Sequence, residues 1–264
     1  MIPNVLSIAG SDPSGGAGIQ ADIKAISANG GYAMAVLTGL TAQNTQGVQA
    51  VQLIDPAMIS AQIAAIRADI RIDAIKIGML GSAQIILTVV AALEGLTVPV
   101  IVDPVMVAKG GDRLLATDAV SALRTHLLPR AQVITPNLPE AADLLALPLA
   151  RSRQEMETQA RALLTFSPGA VLLKGGHLSD HDTPDLLLTP QGPHWFEGPR
   201  HPTRNTHGTG CTLSATLATL LGRGLPLPKA VEAAKTYVAG AIAAADRLNV
   251  GHGHGPTHHF HALW

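Results

Sequence analysis

Cysteine and charge are both scarce in this 264-residue sequence, and each shortage excludes a class of protein. The single cysteine, Cys211, cannot form an internal disulfide, which excludes a small secreted domain built on a disulfide framework. Charged residues make up 14% of the chain, and the formal net charge is −1. This balance provides no basic surface for nucleic acid or for an anionic membrane. We therefore expect a small-molecule ligand and no nucleic-acid partner.

Long hydrophobic runs are also missing, although 47% of the residues are hydrophobic. Gly, Pro and charged residues interrupt the apolar segments, and none reaches the roughly 18 residues of a membrane-spanning helix. The sequence begins with a strand-like segment instead of the basic and apolar regions of a secretory signal. We expect a cytoplasmic protein with no membrane segment. We also expect one domain over residues 1–264, because α/β domains often reach about 250 residues.

Short β-rich runs alternate with longer segments whose apolar residues recur at helical spacing. The runs predict strands over 5–9, 34–40, 74–77, 98–102, 133–135 and 171–173. The other segments predict helices that include 19–26, 56–66, 82–93, 117–127, 139–145, 155–164, 212–221 and 228–248. The Pro- and Gly-rich residues 182–202 indicate strand and turn. This alternation predicts a three-layer α/β/α domain with a mostly parallel central sheet, whose functional loops lie beyond the carboxyl ends of the strands.

A glycine-rich loop, residues 10–18, stands between the first predicted strand and the first predicted helix. Glycine lets backbone N–H groups approach a ligand, and the helix start favours polar or anionic groups. The loop has no Gly-Lys-Ser/Thr ending, and the chain contains no Gly-x-Gly-x-x-Gly, so the common nucleotide fingerprints are absent. A tight strand-to-helix turn is the alternative interpretation.

A second glycine-rich segment, residues 206–212, opens another predicted helix. Its successive backbone N–H groups, at Gly208, Thr209 and Gly210, suit an anion hole for a transferring phosphoryl group. Cys211 falls in the first helical turn, where the helix dipole favours the thiolate, which predicts a lowered thiol pKa and a reactive role. An inert cysteine packed below the loop is the alternative.

Oxygen-bearing side chains follow two of the predicted strands. Asp103 ends one strand, and Asn137 and Glu140 follow the next. Carboxylate and amide oxygens suit Mg²⁺, while a turn before proline at Asp103 and a helix-dipole charge at Glu140 are the alternatives. Lys174 ends a buried strand before two glycines, where it suits a phosphate contact or, alternatively, extends along the surface to solvent.

Taken together, these segments resemble the hydroxymethylpyrimidine/phosphomethylpyrimidine kinases of thiamine biosynthesis, a branch of the ribokinase-like superfamily. The resemblance extends nearly end to end and rests on residues 8–22, 42–45, 76–80, 103–106, 135–141, 173–177, 205–212 and 251–253. It implies a ribokinase-like domain that phosphorylates 4-amino-5-hydroxymethyl-2-methylpyrimidine to its monophosphate and then to the pyrophosphate. ATP and Mg²⁺ would serve both steps, and the family precedent favours a homodimer.

The resemblance also implies roles for individual residues. A pyrimidine pocket would contain Gly10, Ala17, Asp22, Gln43, Met79 and Val105. Lys174, Asn137 and Glu140 would serve the nucleotide, Asp103 and Glu140 would organise magnesium, and the catalytic group would comprise Lys174 with Gly208, Thr209, Gly210 and Cys211.

Cys211 stands where sugar kinases of the superfamily generally have a catalytic aspartate. The hydroxyl in the first step must lose a proton, which makes Cys211 the candidate base. The phosphate that attacks in the second step is already ionised, so we expect that step to need no base.

Three alternatives differ from this interpretation. A pyridoxal or pyridoxine kinase of vitamin B6 salvage would act on a similarly flat heteroaromatic alcohol, and Gln43 alone does not exclude that ring. A non-catalytic ligand-binding regulator on the same fold is a second alternative. An NAD-dependent dehydrogenase is disfavoured, because the dinucleotide fingerprint is missing.

Overall fold

An eight-stranded sheet forms the centre of the structure, a computed structural model that describes residues 1–106, 115–116, 119–167, 169–178 and 183–264. In chain order the strands are β1 (Asn4–Ala9), β2 (Tyr32–Leu37), β3 (Gly39–Asn44), β4 (Gly47–Leu53), β5 (Ala74–Ile77), β6 (Val100–Val102), β7 (Val133–Ile134), β8 (Val171–Lys174), β9 (Asp185–Thr189) and β10 (Gly192–Phe196). The order across the sheet is β10-β9-β8-β7-β6-β5-β1-β2, and β3 pairs with β4 in a separate hairpin.

Six neighbouring strands of the main sheet run parallel, from β2 at one edge to β8. The last two strands, β9 and β10, continue the sheet in antiparallel pairing. The mostly parallel sheet expected from the sequence is thus confirmed. Parallel pairing brings the carboxyl ends of β1, β5, β6, β7 and β8 to one edge of the sheet, where the loops that follow them meet.

Helices cover both faces of the sheet. They are α1 (Gly18–Ala28), α2 (Pro56–Asp69), α3 (Ala83–Ala92), α4 (Ala119–Ala122), α5 (Leu138–Leu145), α6 (Arg153–Leu164), α7 (Thr209–Gly222) and α8 (Leu227–Ala243). Buried side chains of α2 to α6 form one hydrophobic core, and those of α1, α7 and α8 form a second core on the opposite face. The predicted α/β/α layering is confirmed. No helix in the described ranges is both long and apolar enough to cross a membrane.

The strands read as continuous apolar runs because each contributes to both cores. In β1, Leu6 and Ile8 face one core while Val5 faces the other, as the two-residue period of a strand requires. In β5, Ile75 and Ile77 face the first core and Ala74 the second. This pattern is expected for a parallel sheet covered on both faces.

Local start signals in the sequence act as expected at α2. The Asp55 carboxylate accepts a hydrogen bond from the backbone N–H of Ala57 at 2.8 Å, and Pro56 is the first helical residue. Aspartate satisfies an N–H group that the helix itself cannot, and proline loses nothing where no intrahelical N–H bond is needed.

Some predicted boundaries are wrong. The strand expected over 34–40 is two strands, because the chain leaves the main sheet at Thr38 and enters the hairpin. Thr38 is buried, and its hydroxyl donates to the carbonyl oxygen of Met79 at 2.6 Å, which ties the hairpin's first residues to the loop after β5. The helix expected over 117–127 is α4 followed by a π-helical turn, Leu123–Leu127, and its residues 117 and 118 lie outside the described part of the chain.

A fully buried ion pair joins α1 to the sheet. The Lys76 ammonium of β5 lies 2.9 and 2.8 Å from the two carboxylate oxygens of Asp22 in α1, and both side chains are completely buried. The Ser7 hydroxyl of β1 donates to the same carboxylate at 2.6 Å. These contacts replace the water that both charges lose on folding, so each charge depends on the other.

Removing one member of this pair should be costly. We expect Asp22→Ala to lower the free energy of unfolding by about 3–5 kcal/mol, because it leaves the Lys76 charge buried without a partner. The double variant Asp22→Leu with Lys76→Met should recover part of this loss, since it leaves no unpaired charge. Equilibrium urea unfolding measures both effects.

The matched control is a solvent-exposed lysine–carboxylate pair on the surface of the same protein. Lys229 lies 2.9 Å from Glu232, with side chains 73% and 58% exposed. Glu232→Ala should leave the urea midpoint nearly unchanged, because solvent screens exposed pairs. Equal midpoints for Asp22→Ala and Glu232→Ala would contradict the importance of the buried pair.

Candidate active site

A cavity of about 1440 Å³ opens at the edge of the sheet where the parallel strands end. The loops after β1, β5, β6 and β8 and the start of α7 all line it, as the sequence analysis expected for functional loops. The predicted site residues found in its wall are Gly10, Ala17, Gln43, Met79, Asp103, Val105, Asn137, Glu140, Lys174, Gly208, Thr209, Gly210 and Cys211. Asp22 does not line the cavity.

The start of α7 forms part of the wall of this cavity. Gly208 precedes the helix with φ = 78°, a left-handed conformation that favours glycine. A Cβ atom there would also lie 1.7 Å from the carbonyl oxygen of Gly16, so the two glycine-rich loops approach each other more closely than a side chain permits. Since the first N–H groups of a helix lack intrahelical acceptors, this end suits an anion.

Lys174 and Asp103 lie directly beside this helix start. The Lys174 ammonium is 3.0 Å from one Asp103 oxygen, which also accepts from the Thr135 hydroxyl at 2.9 Å. A Cβ at Gly210 would be 3.1 Å from the Lys174 nitrogen and 3.4 Å from Asp103. Burial opposes ionisation of Asp103, but the charges of Lys174 and Lys76 and these hydrogen bonds lower its pKa overall.

Asn137 and Glu140 form a reciprocal cap at the start of α5. The Asn137 side chain accepts from the Glu140 N–H at 2.8 Å, and the Glu140 carboxylate accepts from the Asn137 N–H at 2.7 Å. The alternative interpretation of Glu140 as a first-turn charge is therefore realised. Glu140 nevertheless lines the cavity, so this residue both caps α5 and borders the ligand space.

The oxygen donors here suit a magnesium ion that keeps most of its water. Burial, partly offset by the charge of Lys174, raises the pKa of Glu140 to about 7. A nearby divalent cation would stabilise its carboxylate form. Among the described residues, no three His, Cys, Asp or Glu side chains cluster as a closed metal cage. Asp103 and Glu140 offer carboxylate oxygens, and Mg²⁺ in proteins commonly keeps several waters beside one or two carboxylates.

Cys211 is the third residue of α7, but its thiol differs from the expectation. Burial raises the pKa of Cys211 to about 11, although the charge of Lys76 acts in the opposite direction. The prediction of a lowered pKa is wrong, because the thiolate loses more from desolvation than the charge of Lys76 and the hydrogen bond from the Gly18 N–H restore. The resting thiol is therefore protonated at neutral pH.

Lys76 is a cavity residue that the sequence analysis did not single out. The Asp22 carboxylate, which does not line the cavity, binds the ammonium group of Lys76 and holds it in place. Asp22, expected in the pyrimidine pocket, thus reaches the cavity only through Lys76. A lysine between two isoleucines in a strand buried on both faces is a sequence signal for a paired buried charge.

His207 and Asp12 are two further cavity residues that the sequence analysis did not assign. His207 Nε2 lies 2.8 Å from Asp12 Oδ2 and 3.3 Å from the Gln43 amide nitrogen. Both residues belong to the glycine-rich segments, but nothing in the sequence shows that these segments meet. Burial opposes ionisation of Asp12, but hydrogen bonds from His207 and Ser14 and the charge of His207 lower its pKa overall.

Known proteins share both the sequence and this architecture. A sequence model described as phosphomethylpyrimidine kinase matches residues 12–258. The hydroxymethylpyrimidine/phosphomethylpyrimidine kinase of Escherichia coli (strain K12) is 53% identical over 262 residues, which cover 99% of this chain and 98% of that protein.

Two solved structures superpose closely. The phosphomethylpyrimidine kinase from Clostridium difficile 630 has a TM-score of 0.80 and 39% identity, over 91% of this chain and 99% of that chain. The pyridoxal kinase from Staphylococcus aureus in complex with AMP-PCP has a TM-score of 0.91 and 32% identity, over 100% of this chain and 95% of that chain. This chain therefore belongs to the phosphomethylpyrimidine kinase family of ATP-dependent phosphotransferases, with the ribokinase-like fold.

Proposed function

We propose that this chain is a bifunctional kinase of thiamine biosynthesis. It phosphorylates 4-amino-5-hydroxymethyl-2-methylpyrimidine with ATP and then phosphorylates the monophosphate to the pyrophosphate. One observation carries the proposal: the anion-binding start of α7, with Lys174 and Asp103 beside Gly210, shares a cavity with the amide of Gln43. The cavity therefore has neighbouring space for a phosphoryl group and for a small polar ring.

The acceptor ring lies against Gly10, Ala17, Gln43, Met79 and Val105 in this proposal. A Cβ at Gly10 would lie 2.4 Å from the terminal methyl of Met79, so only glycine leaves Met79 its place against the loop. The Gln43 amide offers both a donor and an acceptor to the edge of an aminopyrimidine. An apolar wall with one such polar group is typical of a small-molecule pocket.

The phosphates of ATP lie between the start of α7 and Lys174. The N–H groups at Gly208, Thr209 and Gly210 and the Lys174 ammonium would stabilise the charge that spreads over the transferring phosphoryl oxygens. Asn137 holds Glu140 in position, and Asp103 and Glu140 would hold magnesium. When bound, the ion neutralises phosphate charge.

The two reactions place different demands on Cys211. In the first, the hydroxymethyl oxygen attacks the γ-phosphorus of ATP, the bond to the β-phosphate bridging oxygen breaks to release ADP, and the thiolate form of Cys211 accepts the hydroxyl proton. Lys76, whose charge favours the thiolate, supports this role. In the second, an ionised phosphate oxygen is the nucleophile, and no proton needs removal.

Further parts of the proposal concern organisation. Residues 1–264 act as one kinase domain, which the single eight-stranded sheet with a core on each face supports. The family resemblance supports a homodimer, and the pathway supports a cytoplasmic location.

ADP release with MgATP and separate acceptors tests the activity. We expect turnover with hydroxymethylpyrimidine and with its monophosphate, and only background release without an acceptor. Pyridoxal is included because a pyridoxal kinase is among the close structural matches. A higher kcat/KM for pyridoxal than for either pyrimidine would move the assignment to vitamin B6 salvage. No turnover with any acceptor would favour a non-catalytic regulator.

Replacing Cys211 should separate the two reactions. We expect Cys211→Ala to lower kcat for the alcohol by about 10²–10⁴-fold, which is the usual contribution of a general base. The same variant should lower kcat for the monophosphate less than about fivefold. Cys211→Ser preserves the side-chain volume and should show the same asymmetry. Equal losses in both reactions would indicate that Cys211 only shapes the anion hole.

The pKa of Cys211 also predicts different pH dependences for the two reactions. Because the thiol pKa is about 11, the thiolate fraction rises about tenfold for each pH unit between pH 7.5 and 9.5. We expect kcat/KM for the alcohol to rise in parallel over this range. For the monophosphate it should stay level, since the second phosphate pKa is about 6. A level profile for the alcohol would exclude the thiolate as the required base.

A further inference from the structure

Three polar side chains from distant parts of the chain meet at one side of the cavity. Asp12 comes from the first glycine-rich loop, Gln43 from the hairpin strand β3, and His207 from the segment before α7. Asp12 also accepts hydrogen bonds from the backbone N–H groups of Ser14, Gly16 and Ala17 at 2.8–3.2 Å. Its carboxylate is therefore held in place independently of His207 and of Gln43.

The imidazole of His207 is held from several sides. Its backbone N–H donates to the Gly255 carbonyl at 3.0 Å, and its carbonyl accepts from the Thr257 N–H at 3.4 Å, so the C-terminal segment fixes its main chain. A Cβ at Gly16 would lie 2.4 Å from the His207 ring, which shows how tightly the first loop packs against it. The ring is buried and keeps its Nε2 atom toward Asp12 and Gln43.

The hydrogen-bond balance determines which end of the Gln43 amide faces His207. An unprotonated Nε2 would set its lone pair against the Asp12 carboxylate at 2.8 Å, so Nε2 carries a proton and acts as a donor. With the amide nitrogen 3.3 Å away, two donors face each other. Turning the amide through 180° puts its oxygen at nearly the same position, where it no longer opposes the Nε2–H group. The single Nε2 hydrogen is donated to Asp12 at 2.8 Å and is shared with the amide oxygen.

The other end of the amide leads to the same orientation. Thr41 donates its single hydroxyl hydrogen to the Ser11 carbonyl at 2.8 Å. Because that hydrogen is directed to Ser11 at the shorter distance, the amide oxygen of Gln43, 3.3 Å from the Thr41 oxygen, receives only a weak share of it. After the turn, the amide NH₂ group faces the Thr41 oxygen and donates one hydrogen to it. Thr41 and His207 thus both favour the amide oxygen toward His207.

We propose that His207 is a positioning residue that fixes the donor–acceptor order of the Gln43 amide toward the acceptor ring. The inference rests on the proposed function and extends it to specificity. One N–H and one oxygen lone pair of the amide remain for the ligand. An aminopyrimidine offers a ring nitrogen, which accepts, beside an amino group, which donates, and a fixed amide order distinguishes it from a ring that lacks this pair.

A double-mutant cycle measured by calorimetric binding of hydroxymethylpyrimidine tests this inference. We expect His207→Ala to weaken binding about three- to tenfold, the scale of one weak to ordinary hydrogen bond. In a Gln43→Ala background, the same change should weaken binding less than twofold, because no amide remains to be oriented. His207→Gln, which retains a donor at comparable reach, should recover most of the affinity.

Two further measurements separate positioning from a general structural role. AMP-PCP affinity should be unchanged in His207→Ala. Discrimination against 2-methyl-5-hydroxymethylpyrimidine, which lacks the amino group, should fall about three- to tenfold in that variant. If His207→Ala does not fold, His207→Asn, whose amide is too short to reach Gln43, takes its place with the same expectations.

The outcomes distinguish failure of this inference from failure of the proposed function. Wild-type protein that neither binds nor phosphorylates hydroxymethylpyrimidine would overturn the proposed function, and this inference with it. Wild-type protein that binds the pyrimidine, combined with additive effects of His207→Ala and Gln43→Ala, would overturn the positioning role alone. Equal weakening of AMP-PCP and pyrimidine binding would also overturn it.

Discussion

The charges beneath the start of α7 are buried, and a buried charge is stable only when opposite charges or hydrogen bonds face it. Lys76 pairs with Asp22, and Lys174 pairs with Asp103. The charge of Lys76 also favours the ionised form of Asp103, so the two pairs support each other. Strand ends and α1 supply these groups, which fixes the cavity's electrostatics before a ligand enters.

Glu140 and Cys211, which lie in the same array, also hold their protons more tightly than usual. Burial raises the pKa of Glu140 to about 7 and that of Cys211 to about 11. A carboxyl group in this state gains from a cation, and a thiol in this state yields a strong base when it loses its proton. Desolvation therefore stabilises the protonated forms of both groups. It also favours cation binding at Glu140 and proton acceptance by the Cys211 thiolate.

The side of the cavity that contains Gln43 is held in place by polar contacts more than by hydrophobic packing. Most side chains of β4 are exposed, so the hairpin that carries Gln43 buries little apolar surface. Its place is set by the Thr38 hydrogen bond to Met79 and by Thr45, which bonds with Gly253 and His254 of the C-terminal segment. That segment also holds His207, so the hairpin and the anion-binding loop share one anchor.

Sequence patterns alone indicated the mostly parallel main sheet and the polar and glycine-rich segments at its edge. The pocket residues Gly10, Ala17, Asp22, Gln43, Met79 and Val105 were implied only by the family resemblance. Apolar runs and local start signals such as Asp55 and Pro56 involve only a few neighbouring residues. They can therefore be recognised in the sequence. The hairpin escaped prediction because its strands are largely exposed and lack a regular apolar alternation. Only the tertiary structure decided the pKa of Cys211, the partner of Lys76 and the meeting of Asp12, Gln43 and His207. Each depends on burial or on contacts between residues 54 to 195 positions apart, which no local pattern records.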